Sequence, residues 1–177
     1  VMTMRDINEL KQVFYHAFDK EADIVAYAPG RVNLIGDHTD YNDGWVLPAA
    51  VNFGTHVLAK PRNDRCVRIV AKDCENESIT FDLATIRFNQ DKPWSNYVAG
   101  VLNELMIAGI KIRGADILVS GNVPQGAGLS SSASFEIAIV KVFSLLFNFD
   151  ISGELAAKIG QRAENKFVGC NCGIMDQ

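Results

Sequence analysis

The residues best suited to chemistry fall in two short stretches, one of which combines glycine with serine. In VPQGAGLSSSASFE, residues 123–136, two glycines, Gly126 and Gly128, precede three consecutive serines. The stretch lies between a predicted strand and a predicted helix, because an apolar run precedes it and a helical apolar pattern follows it. Such a turn can hold an anion with its backbone N–H groups and the helix dipole. The serine hydroxyls add donors and can ligate a hard cation such as Mg²⁺.

Two known phosphate-binding motifs do not describe this glycine-serine loop. No Gly-Lys-Ser/Thr follows the glycines, as a P-loop would require. Ser131 stands where the dinucleotide-binding fingerprint has its third glycine. The loop could also be an ordinary helix start, with a serine as N-cap and Glu136 in the first turn. The loop alone therefore leaves anion binding and simple capping both open.

The other stretch is a polar segment between Pro29 and Gly44. It places a guanidinium, an imidazole and several carboxylates between two apolar runs: Arg31, Asn33, Asp37, His38, Asp40 and Asp43. Carboxylates accept hydrogen bonds from hydroxyls, so the segment suits a polyhydroxylated ligand such as a sugar. Asp, Asn, Thr and Gly also form solvated turns, which leaves that alternative open. An EF-hand is excluded, because taking Gly44 as its glycine would require an acid or Asn where Tyr41 stands.

Composition and charge exclude several classes of protein. The chain has 177 residues, is 48% hydrophobic and carries a net charge of −4 without a basic run. It can therefore bury a core, and nucleic acid is not an expected partner. No apolar run is long enough to cross a membrane, and the charged start does not read as a signal peptide. Its four cysteines match no zinc pattern, so we expect reduced thiols in a cytoplasmic protein. We also expect a monomer.

The elements that must position these stretches follow from hydrophobic periodicity. Helices are predicted at residues 6–18, 94–107, 130–147 and 152–168, the last capped by Ser152. Strands are predicted at residues 24–28, 55–61, 66–71, 78–83 and 114–120. Pro29-Gly30 is expected to end the first strand, and Pro48 to limit the place of residues 45–53 in a sheet. Early strands followed by late helices indicate an α+β fold.

Three motifs, in this order, resemble those of the galactokinases. APGRVNLIGDHTDYNDG, residues 28–44, resembles the galactokinase signature segment. VPQGAGLSSSAS, residues 123–134, resembles the phosphate loop of the wider GHMP kinase superfamily, and GCNCGIMDQ, residues 169–177, resembles the segment with the galactokinase catalytic aspartate. The resemblance implies the α+β fold of the GHMP kinase N-terminal lobe (ribosomal protein S5 domain 2-like), a mixed β-sheet packed with helices.

The resemblance also implies an activity and roles for individual residues. The activity is ATP-dependent transfer of the γ-phosphoryl group to the C1 hydroxyl of galactose, giving α-D-galactose 1-phosphate and ADP. Asp176 matches the catalytic base, and Arg31 matches an arginine near the transferred group. The positions that match sugar contacts are Arg31, Asp37, His38, Thr39, Asp40, Gly173 and Asp176. The positions that match contacts to the ATP phosphates are Gly126, Ala127, Gly128, Leu129, Ser130, Ser131 and Ser132. Ser132 and Glu164 match the family's Mg²⁺ ligands.

Two features depart from the family pattern. Most galactokinases have Glu where Asp37 stands, and losing one methylene retracts the carboxylate by roughly 1.5 Å, enough to place a water between it and the sugar. Galactokinases also continue beyond this length with a third glycine-rich motif and a second lobe. The resemblance therefore implies that residues 1–177 form a GHMP kinase N-terminal domain with the galactose-binding signature, and that the C-terminal GHMP domain is absent. We expect such a fragment alone to bind weakly.

Two other functions remain open on the sequence. One is a non-catalytic galactose sensor, because some relatives bind sugar and ATP and signal through a partner protein. Those relatives have lost part of the serine-alanine run, which is intact here at residues 130–133. The other is a kinase for a different sugar, such as N-acetylgalactosamine, which would need room near the C2 substituent.

Overall fold

A five-stranded mixed sheet with helices on both faces positions the site. The computed structural model describes residues 7–36, 44–124 and 126–177. In these ranges the strands are β1 (Ile24–Ile35), β2 (Leu47–Pro61), β3 (Cys66–Ala71), β4 (Glu77–Asp82) and β5 (Ala115–Gly121). The helices are α1 (Ile7–Phe18), α2 (Ser95–Ile107), α3 (Ser131–Phe147) and α4 (Gly153–Arg162), with a 3₁₀ turn at Leu83–Thr85 and a π-helical turn at Ala163–Val168.

The strand order is β1-β2-β5-β3-β4. All neighbours are antiparallel except β3 and β5, which run parallel. The last strand in the chain is therefore the central one, and it leads directly into the glycine-serine loop. This mixed sheet with packed helices confirms the α+β prediction.

Alternate residues of the central strands lie in two separate cores, because successive side chains of a strand point to opposite faces of the sheet. Val57 and Ile117 face the large core, which is completed by α2, α3 and α4. Leu58 and Leu118, one residue further along each strand, face a smaller core under α1. The loop and α3 thus rest on the more heavily packed side of the sheet.

The prediction that Pro29-Gly30 ends the first strand is wrong. β1 continues to Ile35, with an irregular register between Pro29 and Arg31. The strand tolerates this because β1 lies at the edge of the sheet, where a proline without an N–H leaves no ladder bond unmade. Pro48 is tolerated in β2 for a related reason: it pairs with Asn33 of β1, while β5 pairs only with the later part of β2.

The helix ends also differ from the prediction in one place. The predicted helix at residues 152–168 is α-helical only to Arg162 and then continues as the π-helical turn. Its start is as predicted, since Ser152 accepts a hydrogen bond from the Leu155 backbone N–H at 3.2 Å. Within the described ranges, none of the helices combines the length and the apolar character needed to span a membrane.

Candidate active site

Arg31 and Asp176, which lie 145 residues apart, meet at the irregularity in β1. Arg31 Nε donates to Asp176 Oδ1 at 2.9 Å, and Nη2 contacts the same oxygen. Both side chains are only partly exposed. Because the register shift falls directly before Arg31, the residue that was expected to follow a broken strand instead projects from a continuous one. The structure therefore brings together the two residues that the motifs matched to the base and its arginine.

Arg31 also touches the glycine-serine loop. Its Nη1 donates to the carbonyl oxygen of Gly128 at 2.6 Å. Its backbone N–H donates to the carbonyl oxygen of Leu129 at 3.1 Å. This approach requires Gly30, because a Cβ there would lie 2.6 Å from that same Leu129 oxygen. One guanidinium thus bridges the loop and the carboxylate of Asp176.

The loop backbone alternates into the left-handed region. Gly126, Gly128 and Ser130 have φ of 71°, 68° and 56°. Such alternation turns successive N–H groups toward one concave space, which is the geometry of an anion-binding nest. Ser130 stands at the N-cap position of α3, as the capping alternative expected, but its side chain forms no capping hydrogen bond. Its side chain is 9% exposed, and its hydroxyl has no hydrogen-bond partner in the described part of the chain.

Two cavities flank this junction. The first, of about 450 Å³, has the loop on one side and an apolar wall on the other, formed by Pro93, Trp94, Tyr97 and Phe135. The second, of about 210 Å³, is lined by Arg31, Asp176, Met175 and small residues of β1, β2 and α3. A larger cavity of about 590 Å³ between α1 and β3–β4 contains none of the predicted site residues. The arrangement offers room for an anionic group with an aromatic or apolar attachment beside the loop.

The segment that carries Asp176 is fixed by its neighbour, Gln177. The Gln177 side-chain amide donates to Glu136 Oε2 at 3.1 Å and to Glu164 Oε2 at 3.0 Å. Further back, the Cys172 backbone N–H donates to Asn165 Oδ1 at 2.8 Å. The segment is therefore held at both ends by side chains of α3 and of the π-helical turn.

Glu136 is the residue of the site that the sequence analysis misplaced. The capping alternative places Glu136 in the first turn of α3, but Glu136 is the sixth residue of that helix and is fully buried. Burial, followed by the charge of Glu164, raises its pKa to about 9, so Glu136 is neutral at pH 7. A sequence signal existed, since Glu136 interrupts an otherwise apolar helix pattern, but nothing in the sequence indicated its partner.

Ser132 and Glu164 are placed differently with respect to the loop. Ser132 lines the loop cavity. Glu164 does not line it and is 5% exposed, and it accepts hydrogen bonds from Gln177 and, at 3.4 Å, from Cys172 Sγ. Among the residues that the structure describes, no group of three or more His, Cys, Asp or Glu side chains could hold a metal ion. The assignment of Ser132 and Glu164 as Mg²⁺ ligands stays a prediction.

The predicted sugar contacts are only partly covered by the structure. Asp37, His38, Thr39 and Asp40 lie outside the described residues. Gly173 lies three residues before Asp176 but does not line the cavity that contains Asp176. These positions stay predictions. All four cysteines are unpaired, and burial together with the charge of Glu164 raises the pKa of the Cys172 thiol to about 12, so this thiol is unreactive.

The fold and the loop define the N-terminal domain of a GHMP kinase, and two family models agree. The galactokinase galactose-binding signature matches residues 12–61. The GHMP kinase N-terminal domain matches residues 96–177. The first match covers β1, the register shift and the Arg31 position, and the second covers the loop, α3, α4 and Asp176.

Comparison with solved structures agrees with the two family models. Galactokinase of Lactococcus lactis, solved with galactose, is 38% identical with a TM-score of 0.89, and the match covers 96% of this chain. The chain spans 45% of the length of that galactokinase. Mevalonate kinase of Methanococcus jannaschii (24% identity, TM-score 0.70, covering 86% of this chain and 49% of that one) shares the fold. So does homoserine kinase of Cytophaga hutchinsonii, with 25% identity, a TM-score of 0.62, and coverage of 87% and 44%. The chain belongs to the galactokinase family of the GHMP kinases.

Proposed function

We propose that the natural protein is a galactokinase, which transfers the γ-phosphoryl group of ATP to the C1 hydroxyl of galactose. The observation that carries this proposal is the position of Arg31, which donates to Gly128 of the loop and to Asp176 at once. A phosphoryl acceptor bound beside Asp176 would lie across Arg31 from phosphates bound at the loop. The galactose-binding signature over residues 12–61 supports galactose as that acceptor.

The described residues support a direct transfer. Asp176 accepts the proton of the C1 hydroxyl while that oxygen attacks the γ-phosphorus, so a phosphorus–oxygen bond to the sugar forms as the bond to ADP breaks. Both Arg31 contacts are made to Oδ1 of Asp176, and we assign Oδ2 to the proton. The Arg31 guanidinium stabilises the negative charge that develops on the transferred group. Positioning and fixed charge supply most of the rate acceleration.

The loop cavity is the proposed ATP site. Backbone N–H groups of residues 126–132 and the serine hydroxyls would bind the phosphates. Among the residues that the structure describes, the buried Ser130 hydroxyl has no partner with which a phosphate would compete. The apolar wall with Trp94, Tyr97 and Phe135 offers stacking and packing surface for the base.

Mg²⁺ fits the donor set, because hydroxyl and carboxylate oxygens are hard ligands. Mg²⁺ is usually bound by one or two protein oxygens together with phosphates and water, so the lack of a larger acidic cluster in the described ranges agrees with this mode. Ser132 and Glu164 are the residues that would hold it. When bound, the ion neutralises charge on the phosphates. For the sugar, the motif match assigns Asp37, His38, Thr39, Asp40 and Gly173 beside Arg31 and Asp176.

The test is ADP release by the natural protein with galactose, glucose and N-acetylgalactosamine in parallel. We expect release with galactose and little with the other two sugars. Release with N-acetylgalactosamine in preference to galactose would assign another sugar. Binding of galactose and ATP without any release would contradict the kinase and make the protein a sensor.

A further inference from the structure

A buried polar cluster lies directly behind Asp176, and two of its three members, Glu136 and Gln177, have no role in the transfer described above. It consists of Glu136 on α3, Glu164 on the π-helical turn and the amide of Gln177. The two N–H bonds of one amide group serve two carboxyl oxygens, Glu136 Oε2 at 3.1 Å and Glu164 Oε2 at 3.0 Å. An amide nitrogen has two donors, so this contact uses both.

The neighbouring helix is shaped to receive this amide. Gly160 of α4 is buried against it, and a Cβ at this position would lie 2.9 Å from Gln177 Cγ and 3.3 Å from Glu136 Oε2. Any side chain larger than hydrogen would therefore displace Gln177 or Glu136. The niche is thus built from three elements, α3, α4 and the π-helical turn, around the side chain next to Asp176.

Stability does not explain a carboxyl group at position 136. Glu136 is fully buried among apolar residues of α3, and its second oxygen, Oε1, has no hydrogen-bond partner in the described part of the chain. A leucine or isoleucine would avoid the cost of burying unpaired polar atoms. What Glu136 adds is an acceptor for Gln177, and consecutive Cα atoms are only about 3.8 Å apart, so fixing Gln177 restricts Asp176.

We propose that Glu136 is a positioning residue for Asp176, which it anchors through Gln177 so that the carboxylate faces Arg31 and the acceptor hydroxyl. This inference rests on the proposed function for its kinetic consequence, although the anchoring itself does not. Arg31 fixes Asp176 from the front, and the Glu136–Gln177 contact fixes it from behind. Loss of the rear contact alters the placement of the base and leaves the sugar and ATP contacts in place.

The kinetic test compares Glu136→Met with Glu136→Gln in the natural protein. Methionine keeps the volume but removes the acceptor, so we expect kcat to fall by about 10²-fold, as a displacement of about 1 Å can produce, with both KM values little changed. Glutamine keeps a carbonyl oxygen that can accept from Gln177, so Glu136→Gln should retain near-normal kcat. Val142→Ala, a buried position six residues further along α3, is the control for general destabilisation and should keep kcat.

A double-mutant comparison tests the route through Gln177. Gln177→Met removes the contacts to both Glu136 and Glu164. If Glu136 acts through this amide, Gln177→Met should lower kcat at least as much as Glu136→Met, and the double variant should be no worse than Gln177→Met alone. Multiplied losses would overturn the proposal. So would an unchanged kcat in Glu136→Met, a loss in Glu136→Gln as large as that in Glu136→Met, or an equal loss in Val142→Ala.

Hydrogen exchange separates this inference from the proposed function. In Glu136→Met, backbone amides of residues 172–177 should exchange faster than in the wild type, while those of β2 and β5 should not change. Unchanged exchange in residues 172–177 would refute the anchoring even in a fully active kinase. A wild-type protein without kinase activity would overturn the proposed function, and the exchange result would still decide the anchoring.

Discussion

The glycine-serine loop and the segment with Asp176 approach Arg31 from opposite sides, and they are built on different principles. The loop presents mainly backbone, with left-handed conformations at Gly126, Gly128 and Ser130. The Asp176 segment is held by side chains, through Arg31 at the front and Gln177 at the back. The loop therefore depends on dihedral angles that only some residues adopt, whereas the segment depends on the identity of particular functional groups. We therefore expect substitutions in the loop to change mainly the KM for ATP, and substitutions in the Asp176 segment to change mainly kcat.

The largest effect should come from Asp176→Asn. Asparagine keeps an oxygen for Arg31 but cannot accept the proton, so kcat should fall by about 10²–10⁴-fold while galactose binding is mostly kept. Steady-state ADP release and calorimetric titration with galactose measure the two quantities. Asp150→Asn, at an exposed acid outside the site, is the matched control. Near-normal turnover in Asp176→Asn would remove Asp176 from the role of base.

Arg31→Lys should have the next largest effect, because Arg31 contacts both the glycine-serine loop and Asp176. Lysine keeps the charge but loses the planar fork that reaches Gly128 and Asp176 together, so kcat should fall by about 10²-fold. Unlike the Asp176 variant, it should also raise the KM for ATP. Arg65→Lys, in an exposed ion pair with Asp82, serves as the control. A kcat loss without any change in the KM for ATP would show that the contact to Gly128 has no role in nucleotide binding.

Gly128→Ala tests the backbone conformation of the glycine-serine loop without changing any functional side chain. A Cβ at Gly128 meets no atom within 4 Å, so only the φ of +68° opposes alanine, at a cost of about 1–2 kcal/mol. That cost corresponds to roughly a tenfold rise in the KM for ATP, with kcat little changed. Gly128→Asn should be milder, because asparagine tolerates the left-handed region better. Gly153→Ala, at the open start of α4, should be neutral, and an equally neutral Gly128→Ala would mean that ATP binding does not require this φ.

The last prediction concerns stability rather than catalysis: Glu136 should make the stability of the folded protein depend on pH. Its pKa is raised from 4.5 to about 9 in the folded protein, so the folded state retains a proton that the unfolded state loses. The stabilisation is complete below about pH 4.5 and is lost as pH rises toward 9, by at most about 1.4 kcal/mol per pH unit. Between pH 5 and 9, the Tm of the wild type should fall more steeply than that of Glu136→Gln. Parallel Tm profiles would show that Glu136 does not keep its proton.

The sequence was sufficient for most elements but not for the behaviour of its prolines. Helical periodicity located α1, α2 and α3 to within a residue or two, because each buries a regular apolar stripe. The strand ending at Pro29-Gly30 was wrong because the tolerance of β1 for proline depends on its place at the sheet edge, which is a property of the whole topology. The π-helical turn after Arg162 was not predicted either. It lies where Glu164 is buried in the polar cluster, and this tertiary contact cannot be seen in the periodicity of the sequence.

For the site, the matched motifs and the reasoning from residue types pointed to different residues, and the roles of these residues stay predictions. The matched motifs named Arg31 and Asp176, and the structure brings them into contact. The pairing of Glu136 with Gln177 spans 41 residues and follows no periodic spacing, so only the unusual carboxyl in an apolar helix hinted at it. The roles of Asp37, His38, Thr39 and Asp40, which lie outside the described residues, stay predictions.

The separation of Arg31 from Asp176 along the chain has a consequence for folding. The hairpin of β1 and β2 forms from close neighbours in the chain, whereas the Arg31–Asp176 pair closes a loop of 145 residues. Closing so long a loop carries an entropic cost that only the rest of the tertiary structure can offset. We therefore expect the charge pair at the site to form only after the sheet and its helices have packed.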